Sequence, residues 1–128
     1  MSENRFKWPD KVILIAEDEM INYMLLNKVL ESTASKVFWA KNGLEAIAFN
    51  QEYHPDVILM DLRMPEMNGI DATKAIRKTH PELPIVAVTA FALDNEAQQC
   101  QEAGCSAFLT KPVRPVVLFE LLENLFTS

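Results

Sequence analysis

The sequence predicts an α/β fold: one parallel sheet with helices packed on both of its faces. Three observations carry this. Short, continuous apolar runs rich in β-branched residues recur along the chain, as expected of strands buried on both sides. Segments of helical period fill the intervals between them. The connections are short, and strands alternating with helices imply parallel pairing through right-handed crossovers.

The elements follow in order. Residues 1–10 are polar apart from Phe6 and Trp8, and Pro9 interrupts any pattern, so they read as an N-terminal extension or linker remnant before a single domain over 11–128. VILIA at 12–16, DVILM at 56–60 and IVAVT at 85–89 are the strong strand candidates; KVFWA at 36–40 and SAFLT at 106–110 are weaker ones. The first helix spans residues 20–30, with Ile21, Leu25 and Val29 at four-residue spacing forming its apolar stripe. Two more helices follow the turn pairs Asn42-Gly43 and Asn68-Gly69 and cover 44–50 and 70–78. A fourth, over 93–103, opens on Asp94, Asn95 and Glu96 and ends at Gly104, which suits the polarity of helix ends. Pro115 fits the first turn of a last helix that buries Val117, Leu121, Leu122 and Leu125. Five strand–helix units match a doubly wound, flavodoxin-like sheet of order 2-1-3-4-5.

The chemistry gathers at the carboxyl ends of the strands. The first runs into Glu17, Asp18 and Glu19, the third into Asp61, the fourth ends in Thr89, and the fifth runs into Lys111 and Pro112. The second, an edge strand in this order, offers no comparable group. Doubly wound folds bind ligands at this edge, beside the switch point between strands one and three. Carboxylates crowded together repel one another unless a hard cation sits among them. An oxygen-only, carboxylate-rich set suits Mg2+. With Lys111 and the Thr89 hydroxyl to meet further oxygens, the crevice suits phosphoryl transfer by positioning and charge neutralisation, with a carboxylate as nucleophile.

The bulk properties narrow the partners. A net charge of -6 over 128 residues lacks the basic face that nucleic acid or an anionic membrane requires. No apolar run approaches a membrane span, and the N-terminus lacks signal-peptide order, so a cytoplasmic protein is expected, or the cytoplasmic portion of a membrane-bound one. Cys100 and Cys105, with Gly104 between them and no histidine near, are too few for a metal site and read as reduced, buried or half-buried thiols. His54 and His80 each precede a proline and read as exposed turn residues. Met60, Met64 and Met67 read as loop packing.

The segments ILIAEDE (13–19), DVILMDLRMP (56–65) with MNG (67–69), PIVAVTA (84–90) and AGCSAFLTKP (103–112) resemble, in order and spacing, the receiver (response regulator) domain of two-component signalling. Asn22, the run ATKAIR (72–77) and the Glu17-Asp18 pair resemble most the receivers of hybrid sensor histidine kinases. The resemblance implies that Asp61 is the phosphoacceptor. Asp18, Asp61 and the backbone carbonyl of Arg63 would bind Mg2+ directly, and Glu17 would act through water. Lys111 would contact Asp61 and then the phosphoryl group, Thr89 would move onto a phosphoryl oxygen, and Phe108 would be the aromatic switch. A cis Lys111–Pro112 peptide is expected. Glu17 stands where Asp is commoner, Phe108 where Tyr is commoner and Asn68 where Asp is usual. Arg63 and Phe91 occupy positions that in this family influence attack by water on the acyl phosphate.

The implied function is a phosphoacceptor in a phosphorelay rather than an enzyme in the usual sense. It would take its phosphoryl group from a histidine kinase or histidine phosphotransfer protein docked on the first helix (Met20, Ile21, Met24) and Pro112. It would switch the face of the fourth helix, fifth strand and fifth helix, through which a homodimer could also form. The chain would be a single-domain receiver or a piece of a hybrid kinase. The alternative is a pseudo-receiver that works without phosphorylation; its signature would be loss of Asp61, Lys111 or the acidic pair. A flavodoxin would need a phosphate loop where Glu17, Asp18 and Glu19 stand. An aspartate-nucleophile phosphohydrolase would carry a second Asp at the place of Arg63.

Overall fold

The computed structural model describes residues 4–90 and 95–127. Its order is β1 (Val12–Ala16), α1 (Met20–Glu31), β2 (Lys36–Ala40), α2 (Gly43–Tyr53), β3 (Val57–Asp61), α3 (Gly69–Arg77), β4 (Ile85–Thr89), α4 (Glu96–Ala103), β5 (Ala107–Thr110) and α5 (Pro115–Thr127). All strand pairs are parallel and the sheet order is β2-β1-β3-β4-β5, the flavodoxin-like order. Phe91 and the first two residues of the expected fourth helix, 93 and 94, lie outside the described residues, and α4 starts at Glu96.

Period-two alternation along the strands divides the core. Ile13, Ile15, Val57, Leu59, Val86 and Val88 face α1 and α5, meeting Leu26, Leu30, Leu118, Phe119 and Leu122. Leu14, Ala16, Ile58, Met60 and Ile85 face α2 and α3, meeting Ala46, Ala72 and Ile76. Full burial of each such large side chain stabilises by about 1.5–3 kcal/mol, so the sheet is a rigid base for the loops above it.

Several expectations change on contact with the structure. In α1 the buried residues are Leu26 and Leu30, whereas Ile21 is 72% and Leu25 63% exposed. Both sides of this helix are apolar, so spacing alone cannot choose the inner one. In α5 the core positions are Leu118, Phe119 and Leu122, and Val117 lies outside. Phe6 and Trp8, in the stretch expected to be an extension, are buried and form an aromatic cluster with Phe119 and Phe126. His54 is exposed and caps α2 in the left-handed region. His80 is half-buried, its Nδ1 2.8 Å from the Thr79 hydroxyl, rather than an exposed turn residue.

The cysteines are the largest correction. Cys100 and Cys105 form a disulfide across a 5.5 Å Cα separation. The Gly104 turn folds the chain back on the end of α4 instead of carrying the two side chains apart. Gly104 lies at φ 107°, the left-handed conformation that glycine adopts without strain.

Candidate functional site

Asn42 and Asn68 start the helices that follow β2 and β3. Each caps a helix, accepting from Glu45 N and Asp71 N at 2.8 Å. Each is followed by a glycine placed against backbone: a Cβ on Gly69 would fall 2.1 Å from the Asp61 carbonyl oxygen. The loop after β3 can therefore fold tightly over the end of the strand that carries Asp61.

The parallel register sets the reactive side chains side by side at the carboxyl edge. Carboxylate oxygens of Glu17, Asp18 and Asp61 lie within 4.8 Å of one another. Glu17 is 1% and Asp61 7% exposed, while Asp18 stands at the exposed rim. Lys111 Nζ reaches Glu17 Oε1 at 2.6 Å and Asp61 Oδ2 at 3.4 Å. Arg63 N donates to Asp61 Oδ1 at 3.2 Å and Glu19 N to Glu17 Oε2 at 3.2 Å. Thr89 is fully buried at the end of β4, and its carbonyl accepts from Lys111 N at 2.8 Å. The Lys111–Pro112 peptide is cis. Phe108 is half-buried and packs against Leu62, Ala87 and Cys100.

The electrostatics reflect crowding. Burial, reinforced by Asp61, pushes the Glu17 carboxyl above its ordinary value despite the bond from Lys111. Asp18 is pushed up by desolvation and by Glu17. Burial pulls the Lys111 ammonium down, but Glu17 and Asp61 outweigh it and the net shift is upward. Oxygen ligands at this spacing, with excess negative charge and one open side, fit a hard divalent cation, which would relieve the repulsion that adds to the effect of burial on these groups.

The structure thus brings together Glu17, Asp18, Asp61, Lys111 and Thr89, with Arg63 at the mouth and Phe108 one strand away. Two neighbours escaped the sequence reading. Trp39 Nε1 donates to the Glu17 carbonyl at 2.6 Å, with its ring stacked on Tyr23 at 4.3 Å. Glu96 pairs with Arg63 at 3.3 Å. The Trp39 contact follows from its register opposite Ile15 on the edge strand, which sequence spacing shows only once strand pairing is known. Glu96 is the first residue of α4, and nothing in the sequence marks its cross-loop partner.

Fold and crevice together define a flavodoxin-like domain with an acidic cation site at its topological switch point. The chain belongs to the response regulator receiver domain family: the family model matches residues 13–123. It is 34% identical over 116 residues to the polar-differentiation response regulator DivK of Brucella ovis, covering 89% of this chain and 94% of that relative. Among solved structures it resembles the receiver domain of sensor histidine kinase PA1611 from Pseudomonas aeruginosa, a structure with a magnesium ion coordinated in the active site cleft. That likeness has 32% identity and a TM-score of 0.86, covering 92% of this chain and 98% of that one. The signal receiver domain of a histidine kinase from Syntrophus aciditrophicus gives 29% identity and a TM-score of 0.84, covering 91% and 90%. Receiver domains are signalling modules of two-component systems. No helix among the described residues is long and apolar enough to cross a membrane.

Proposed function

We infer that this receiver accepts a phosphoryl group on Asp61 from a phosphohistidine of a histidine kinase or histidine phosphotransfer protein. The observation that carries this reading is Asp61 itself, sunk between the Glu17-Asp18 pair and the Lys111 ammonium. Mg2+ would be held by Asp18, Asp61 and the Arg63 carbonyl, with Glu17 acting through water; when bound it supplies positive charge to the transferring phosphoryl oxygens. An Asp61 carboxylate oxygen attacks phosphorus in line as the bond to the histidine nitrogen breaks. Lys111 leaves Glu17 and Asp61 for the new phosphoryl oxygens, and Thr89 donates to another. Phe108 then follows Thr89 inward, biasing two packings of the face made by α4, β5 and α5.

The exposed apolar face of α1 supports the docking of a partner. Met20, Ile21, Met24 and Leu25 are each more than half exposed. Beside them a cavity of about 480 Å³ is lined by Leu25, Leu26, Val88, Lys111, Pro112 and Val113, leading toward the lysine of the site. A cytoplasmic location follows from a partner of this kind.

Incubation with acetyl phosphate and Mg2+, read by intact mass, tests the assignment. The wild type should gain one hydroxylamine-sensitive phosphate, and Asp61→Asn none. Retained labelling in the variant would overturn the choice of Asp61. No labelling of a Mg2+-loaded wild type, quenched quickly, would favour the pseudo-receiver reading.

A further inference from the structure

The end of α4 is a Schellman turn: Cys105 N donates to the Cys100 carbonyl at 3.0 Å and Gly104 N to the Gln101 carbonyl at 3.1 Å. This motif brings the side chain one residue past the left-handed glycine against the side chain five residues before it, usually as a hydrophobic contact. Here both positions are cysteine. The backbone alone therefore preorganises the pair, and Arg77 braces the turn through its Nε bond to the Gly104 carbonyl at 2.8 Å. Cys100 is 1% exposed and Cys105 is half-buried, so Cys105 is the more accessible residue of the pair. The pair packs in the same small cluster as Leu62, Ala87 and Phe108, next to the residue that follows Asp61.

We propose that Cys100 and Cys105 form a thiol–disulfide exchange site whose substrates are low-molecular-weight disulfides and thiols, giving this receiver a second covalent input. In the oxidising direction the Cys105 thiolate attacks one sulfur of the small disulfide. A mixed disulfide forms at Cys105 and the first small thiolate leaves. The Cys100 thiolate then attacks the Cys105 sulfur, closing the intramolecular bond and expelling the second small thiolate. Two electrons pass from the protein to the reagent, and the two protons lost by the cysteines are taken up by the departing thiolates. The thiolate is the attacking species, so the exchange accelerates by up to about tenfold per pH unit below the thiol pKa. The hydrogen bonds of the turn do not involve the sulfurs, so the site opens and closes without melting the fold.

The test is incubation of the full chain in glutathione buffers of graded oxidised-to-reduced ratio, followed by acid quench, alkylation and intact mass, with circular dichroism alongside. Expected is a joint loss of both alkylation sites within a monomer and an unchanged spectrum. Cys100→Ser should accumulate a glutathione adduct at Cys105, and Cys105→Ser should carry far less at the buried Cys100. Two thiols that remain alkylatable in the most oxidising buffer would overturn the proposal. So would oxidation that requires urea, or adducts shared equally between the two variants. None of these readouts depends on phosphorylation of Asp61.

Discussion

Glu17 carries the clearest consequence of crowding at the level of single residues. Its carboxyl is raised from an ordinary 4.5 by burial and by Asp61, and Asp18 from 3.8 by desolvation. A folded state that holds the proton more tightly than the unfolded chain gains stability as pH falls, because it binds more protons through the window. Without a divalent cation, this site should therefore add stability on acidification toward and through the range just above 4.5, and Glu17→Gln should remove the Glu17 share of that increment and leave the share that desolvation of Asp18 supplies. Urea midpoints at pH 7 and pH 5 for the two proteins check the sign. With Mg2+ at about 100 times its Kd, the folded state should gain roughly 2.7 kcal/mol at pH 7, and that gain should shrink as protons compete for the carboxylates. Trp39 belongs to the same scale. Trp39→Phe keeps a ring to stack on Tyr23 but loses the donor to the Glu17 carbonyl, at a cost of about 1 kcal/mol. Calorimetric titration with Mg2+ should show severalfold weaker binding if that donor holds the acidic loop in place. The identities of the acidic loop, Asp61, Thr89 and Lys111 were readable because strand ends announce themselves by apolar runs that stop at polar groups. The 2.6 Å approach of Lys111 to Glu17, closer than its 3.4 Å approach to Asp61, depends on side-chain geometry that spacing does not carry.

Individual helices show where pattern reading reaches its limit. The strands were legible nearly to the residue, since a continuous β-branched run has few alternatives in a parallel sheet. In α1, by contrast, Met20, Ile21, Met24 and Leu25 compete with Leu26 and Leu30 for the inner face, and only packing against β1 and α5 decides. Leu26→Ala should cost about 2–5 kcal/mol of stability. Leu25→Ala, 63% exposed, should change stability by no more than about 0.5 kcal/mol while slowing phosphotransfer from a phosphohistidine partner. Urea unfolding and a transfer assay on the same two variants separate the roles. Equal loss of stability would return Leu25 to the core. The α4 terminus teaches a related lesson: Cys-x4-Cys with glycine just before the second cysteine is the spacing of the two side chains that a Schellman turn joins. Gly104 marks a meeting of the pair as much as the end of a helix.

The molecule as a whole is closed by a segment that precedes the family match at residue 13. Trp8 N donates to the Thr33 carbonyl at 2.7 Å, and Trp8 Nε1 bonds Glu123 Oε1 at 2.5 Å. The Phe6 and Trp8 rings pack on Phe119 of α5, and Trp8 also meets Phe126. Two aromatic residues among polar neighbours carry no period, so the sequence pattern could not distinguish a tether from a core contribution. The buried rings of Phe6 and Trp8 join this segment to α5, one border of the face proposed to respond to phosphorylation. Trp8→Ala should cost about 3–5 kcal/mol, a large part of the stability of a domain this size. Trp8→Phe keeps most of the burial and loses the bond to the Glu123 carboxylate, worth about 1.5–3 kcal/mol for a charged partner. Urea titrations should therefore rank wild type above Trp8→Phe, and Trp8→Phe above Trp8→Ala. Amide exchange in α5 should quicken in the same order if the segment clamps that helix. Exchange in α5 that is unchanged while stability falls would confine Trp8 to general core packing and leave α5 held by the sheet alone.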